Sequence, residues 1–147
     1  MITNERQYRT TKTQLAKLIK ALEDFNLNEV AKQVGSDVLG VAELNALKSE
    51  QENLLSQINE YESLRSGTVT SLTVSDLNEL PGILIRARIA RGLSQRGLAE
   101  LMGLKEQQIQ RYESDEYATA NLRRLREIAE ALKLNITEIK AVFQKAS

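Results

Sequence analysis

The chain has 147 residues, 20 basic against 20 acidic side chains, and neither cysteine nor histidine. That length holds one or two small domains, and the missing residue types exclude Cys/His metal sites, thiol or imidazole catalysis and disulfides. The longest apolar runs are far too short to span a membrane. Met1-Ile2-Thr3-Asn4-Glu5-Arg6 lacks the basic-then-apolar order of a secretion signal, so the expectation is a cytoplasmic protein without metal or cofactor.

Residues 4–25 carry Tyr8, Thr11, Leu15, Leu18, Leu22 and Phe25 at alternating spacings of three and four. That is the heptad seam of a helix, with Thr11 as its polar position. Asn26 to Gly40 hold turn residues and only short apolar islands, which reads as a connection. A second helix is expected from about Val41 to Leu64, with the seam Leu44, Leu47, Gln51, Leu54, Ile58 and Tyr61. Two such helices make an antiparallel hairpin over residues 1–67. A hairpin buries little surface alone, so its stripes are expected to hold a homodimer or to dock a partner.

Residues 68–75 follow as an extended linker or a short strand. Linker is the better reading, because a lone strand has no evident pairing partner. Pro81 suits a helix start, and residues 82–91 form a helix stopped by Gly92. Leu122, Leu125, Ile128, Ala129 and Leu132 outline a later amphipathic helix. Asn135-Ile136-Thr137-Glu138 has capping-box spacing before a final helix through Phe143.

Between these lies the most informative stretch, Leu93 to Glu113. Ser94 can cap a helix whose apolar face is Leu98, Ala99, Leu101 and Met102. Gly103 suits the left-handed position that ends it. Leu104 and Ile109 point a second helix back at the first. This is a helix-turn-helix, which lays its second helix in the DNA major groove. With Ile109 on the core, Gln107 and Arg111 stand about 160° and 200° around the helix, flanked by Gln110 and Gln108 at about 100° and 260°. Glutamine matches the N6/N7 edge of adenine, and arginine forks onto O6/N7 of guanine. A solvated helix of good polar formers is the bland alternative. The combination of serine cap, glycine turn and Gln/Arg tip favours DNA. Residues 76–147 therefore read as a DNA-binding domain of about five helices around one Leu/Ile core, and the fold class is all-α.

Charge supports this. Residues 1–75 sum to −2 and residues 76–147 to +2. Residues 83–111 hold Arg86, Arg88, Arg91, Arg96, Lys105 and Arg111 against Glu100 and Glu106, a surplus of four. Counterion release would act there.

Arg88, Gly92-Leu93-Ser94-Gln95, Leu98-Ala99, Gly103-Leu104, Ile109, Arg111-Tyr112-Glu113 and the helix from Leu122 to Leu132 together resemble the XRE family of helix-turn-helix domains, the lambda-repressor-like fold of the phage repressors and Cro. The resemblance covers residues 82–140. It implies that Gln95 touches a phosphate and braces the recognition helix, and that the positions of Lys105, Glu106, Gln107 and Arg111 meet DNA. Glu106 departs from the usual small or neutral residue, and is either a specific reader or turned away.

The expected base readers are thus Gln107, Arg111, Gln108 and Gln110, and the expected phosphate contacts Gln95, Arg96 and Lys105. The expected function is a sequence-specific double-stranded-DNA-binding regulator, a repressor acting as a homodimer on a palindromic operator. By layout alone the chain also resembles antitoxins of the HigA type, which would add an RNase toxin as partner. A helical protein-interaction module without DNA binding is the remaining alternative. Catalysis has little to stand on: Glu50/Glu52 and Asp115/Glu116 lie in hydrophilic stretches, where desolvation does not tune a carboxylate.

Overall fold

The computed structural model describes residues 1–140 and residue 142, and all regular structure among them is helical. Packing divides the chain into two units, Met1–Leu72 and Thr73–Ser147.

The first unit holds α1 (Glu5–Glu23), α2 (Leu27–Val34) and α3 (Asp37–Arg65), with α1 and α2 both packed on α3. Glu5 pairs with Arg65 at 2.7 Å, Tyr8 donates to the Glu62 carboxylate, and the Tyr8 and Tyr61 rings lie 5.1 Å apart. The start of α1 therefore meets the end of α3, as an antiparallel pair must. Leu54, Ile58 and Tyr61 are buried along α3, as is Leu64 beyond them, so the second half of the expected seam is taken up inside the unit.

The expected connection at residues 26–40 is mostly helix. Its turn residues act as caps rather than as loop. Asn26 accepts from the backbone N–H groups of Asn28 and Glu29, Gly35 ends α2 at φ +73°, and Ser36 accepts from Leu39 N–H. Gly40 sits inside α3, where a Cβ would lie 3.3 Å from the Ala31 backbone and side chain. It marks a close crossing of α2 and α3, not a turn.

Residues 67–74 have no regular structure, and a 3₁₀ turn at Leu77–Glu79 then leads into α4 (Leu80–Ala90). It is followed by α5 (Gln95–Met102), α6 (Glu106–Ser114) and α7 (Leu122–Ala131). Leu84, Leu98, Ile109, Ile128 and Leu132 are almost wholly buried and form the core. Two apolar assignments fail: Leu101 and Leu122 are 60% and 72% exposed.

The expected helix from Asn135 is absent over 135–140, and its remaining positions, Ala141 and Phe143, lie outside the described residues. Ile136 and Ile139 are exposed, so the apolar face that would support a helix has nothing to pack on. A helix that short does not hold in water on propensity alone. Among the described residues the second unit has four α-helices and a 3₁₀ turn instead of five helices.

Candidate nucleic-acid interface

The α5–turn–α6 geometry follows from local chemistry. Ser94 Oγ accepts from Gly97 N–H at 2.9 Å and starts α5. Gly103 takes φ +65°, and Leu104 N–H reaches back to the Ala99 carbonyl at 2.8 Å. That 6→1 bond is the helix stop which lets the chain reverse. Lys105 N–H donates to Gln108 Oε1 at 3.2 Å, closing the first turn of α6.

What fixes α6 on the domain is a buried ionic network. Arg88 of α4 donates from Nε to Glu113 Oε1 at 2.5 Å and from Nη2 to Oε2 at 2.7 Å. Its Nη1 donates to the Leu93 carbonyl at 2.8 Å, and Gln95 Nε2 donates to Glu113 Oε2 at 2.8 Å. Three helices are tied at one carboxylate. A buried pair so satisfied is tolerable, whereas losing one partner leaves a naked buried charge.

Beside it, the loop after α6 is strained. Glu116 and Tyr117 stand in the left-handed region at φ +52° and +59°, which costs roughly 1–2 kcal/mol per non-glycine residue. Tyr117 is buried and its ring stacks on Tyr112 at 5.9 Å. Burial, reinforced by the Glu113 charge, pushes its phenol well above the ordinary value, and Arg88 partly offsets this.

The expected contact residues divide by what already holds them. Ile109 is fully buried, and Gln107 and Arg111 stand exposed on the far side of α6. Lys105 is exposed at the helix start. Gln108 and Gln110 are exposed but engaged, Gln108 in the N-terminal cap and Gln110 on Glu106 Oε1 at 3.1 Å. Arg96 is exposed and donates to Glu100 at 2.9 Å. That bond, with the charges of Glu100 and Glu106, raises its already high pKa. Gln95 is buried with its amide on Glu113, so its bracing contact is in the protein interior. The surplus of four positive charges also shrinks at the surface, because Arg88 is neutralised inside the domain.

Glu113 and Tyr117 were missed as supports. Glu113 had a readable signal: it follows Ile109 by four residues, so it shares the core-facing side of α6. A carboxylate there needs a buried cation. Tyr117 had none, because its burial depends on an unusual backbone conformation.

Residues 84–139 match the family described as helix-turn-helix. No curated protein and no solved structure matches the chain. No described helix is long and apolar enough to cross a membrane.

Proposed function

We propose, from the membership of residues 84–139 in the XRE-type helix-turn-helix family of DNA-binding domains, that this protein is a sequence-specific transcriptional repressor working as a homodimer. One observation carries the reading. Gln107 and Arg111, a Gln/Arg pair one turn apart, stand exposed opposite the buried Ile109 on a helix locked in place by Arg88 and Glu113. Glutamine and arginine at such positions have the donor and acceptor pattern that reads adenine and guanine edges. Arg96 and Lys105 supply the phosphate contacts that set register, while Gln95, buried with its amide on Glu113, braces α6 from within. Gln108 and Gln110 support the base readers from the two flanks of α6.

The dimer reading draws on the first unit. Val34, Val38, Leu39 and Val41 are exposed on α2 and the start of α3, Val38 at 78%. Apolar side chains clustered there support a protein partner, and a second copy would present two recognition helices to a palindrome. Its half-sites would lie about 10–10.5 bp apart, or a multiple of that. Occupation of the same patch by a toxin is the second reading, favoured by the same exposed residues.

Enrichment of random duplex DNA on the full chain tests the function directly. A recovered motif with two-fold symmetry is expected. Recovery of unselected sequence, with binding that tracks salt alone, would overturn it.

A further inference from the structure

Glu106 brings a carboxylate to a face that would meet a polyanion. It is the first residue of α6, only partly exposed, and its Oε1 accepts from Gln110 Nε2 at 3.1 Å. The two side chains lie about 60° and 100° around the helix from Ile109, on the flank between the core and the Gln107/Arg111 tip. The bond orients the Gln110 amide. With Nε2 turned toward Glu106, Gln110 Oε1 is directed away from it. Glu106 Oε2 accepts no hydrogen bond among the described residues. The flank therefore presents Glu106 Oε2 as an acceptor on a carboxylate whose other oxygen is held by Gln110.

We propose that Glu106, held by Gln110, reads a cytosine in the major groove by accepting from its N4 amino group. The inference rests on the proposed role of the domain as a duplex reader. Among the four bases, cytosine alone offers a major-groove donor without a neighbouring acceptor on the same base. Guanine O6 and N7 and thymine O4 would face the carboxylate with lone pairs. Adenine offers N6 but sets the N7 acceptor beside it. The same carboxylate repels phosphate, so it lowers affinity wherever the match is missing. One cation of this face is already engaged within the domain, since Arg96 is held by Glu100 at 2.9 Å.

The test compares wild-type protein with Glu106→Gln by enrichment from one random duplex library, followed by titration of single-base variants of the recovered site. Wild type should favour cytosine at one position by roughly tenfold to a hundredfold over the other bases. Glu106→Gln should lose that preference and turn toward adenine there, because an amide matches N6 and N7 together. Preferences elsewhere in the site should stay, and binding to unmatched duplex should tighten. The responding position should differ from the one altered by Arg111→Ala, since a guanine contact on the opposite strand would give the same base pair. An identical base profile in both proteins, with affinity raised uniformly, would overturn the inference and leave Glu106 as a repulsive charge only. Failure of wild type to select any sequence would instead remove the duplex-reading function on which it rests. Matching thermal melts of the two proteins establish that the change lies at the surface.

Discussion

The Arg88 guanidinium and the Glu113 carboxylate meet through two parallel hydrogen bonds, 2.5 and 2.7 Å long, with side-chain exposures of 2% and 1%. Their contact makes the position of the recognition helix a property of the domain core. Replacing one partner alone, as in Arg88→Met or Glu113→Leu, should destabilise the domain by about 3–5 kcal/mol. The double replacement should recover much of that loss, because no unpaired charge remains buried. Denaturant unfolding of the four proteins measures this. Equal and additive losses would show that the pair is not coupled.

Tyr117 offers a test in alkali. Its buried hydroxyl has no hydrogen-bond partner among the described residues, so Tyr117→Phe should leave stability unchanged or raise it by about 1 kcal/mol. The folded-state pKa lies above the ordinary 10.0. Below that value both states keep the proton, and this group contributes no pH dependence. Above it the unfolded chain ionises while the folded chain does not, so stability falls as pH rises. Tyr117→Phe should lose part of that fall, which unfolding curves on both sides of pH 10 would reveal. Parallel wild-type and variant curves would count against a buried neutral phenol.

At the proposed reading tip, Gln107→Ala or Arg111→Ala should each cost about 1–3 kcal/mol on the selected site and relax preference at one base pair. Titration against the selected site and its single-base variants checks this. Wild-type affinity in both variants would move base reading away from this pair.

Arg96 separates positioning from reading. Arg96→Ala should weaken binding to all sequences alike and lower the log–log salt slope by about one unit. A loss confined to one operator variant, with the slope intact, would make Arg96 a base contact. Glu100→Gln should act oppositely to Arg96→Ala, since it releases the guanidinium from its 2.9 Å ion pair.

Association is tested on residues that the first unit leaves uncovered. Ile58 is buried against the unit's own helices, so a charge there would unfold the unit before it reported on association. Val38→Glu with Leu39→Glu puts charges on exposed positions instead. Sedimentation should show a folded monomer, and affinity for a full palindrome should drop toward that for a half-site. A variant that stays dimeric would place the interface elsewhere and leave the α2–α3 patch to another partner.

Most of the second unit was legible because its signals are local. Ser94, Gly103 and Ile109 each act within a turn or two: a hydroxyl capping a helix, a residue free to adopt positive φ, an apolar side chain at core spacing. Short-range rules of this kind place the helix-turn-helix and the exposed Gln107/Arg111 edge. The same rules misread residues 26–40, since Asn26, Gly35 and Ser36 punctuate helices as readily as they fill loops. What they leave undecided there is whether the residues between form a helix, and packing against α3 decides it.

From sequence alone came the helical class, the recognition helix and its outward face, because periodicity and caps are written into consecutive residues. Tertiary structure alone decided the long-range pairings. Arg88 and Glu113 are 25 residues apart, and nothing near either one states that they meet. The same holds for the Gln95 amide, directed inward by Glu113, and for the Leu54–Ile58–Tyr61 stripe, covered from within the chain. It holds too for the final apolar positions, Ile136 and Ile139, where a helical pattern found no surface to bury it. An amphipathic pattern specifies which face seeks cover. Only the folded chain determines what covers it, because burial and ion pairing depend on groups brought together by the fold.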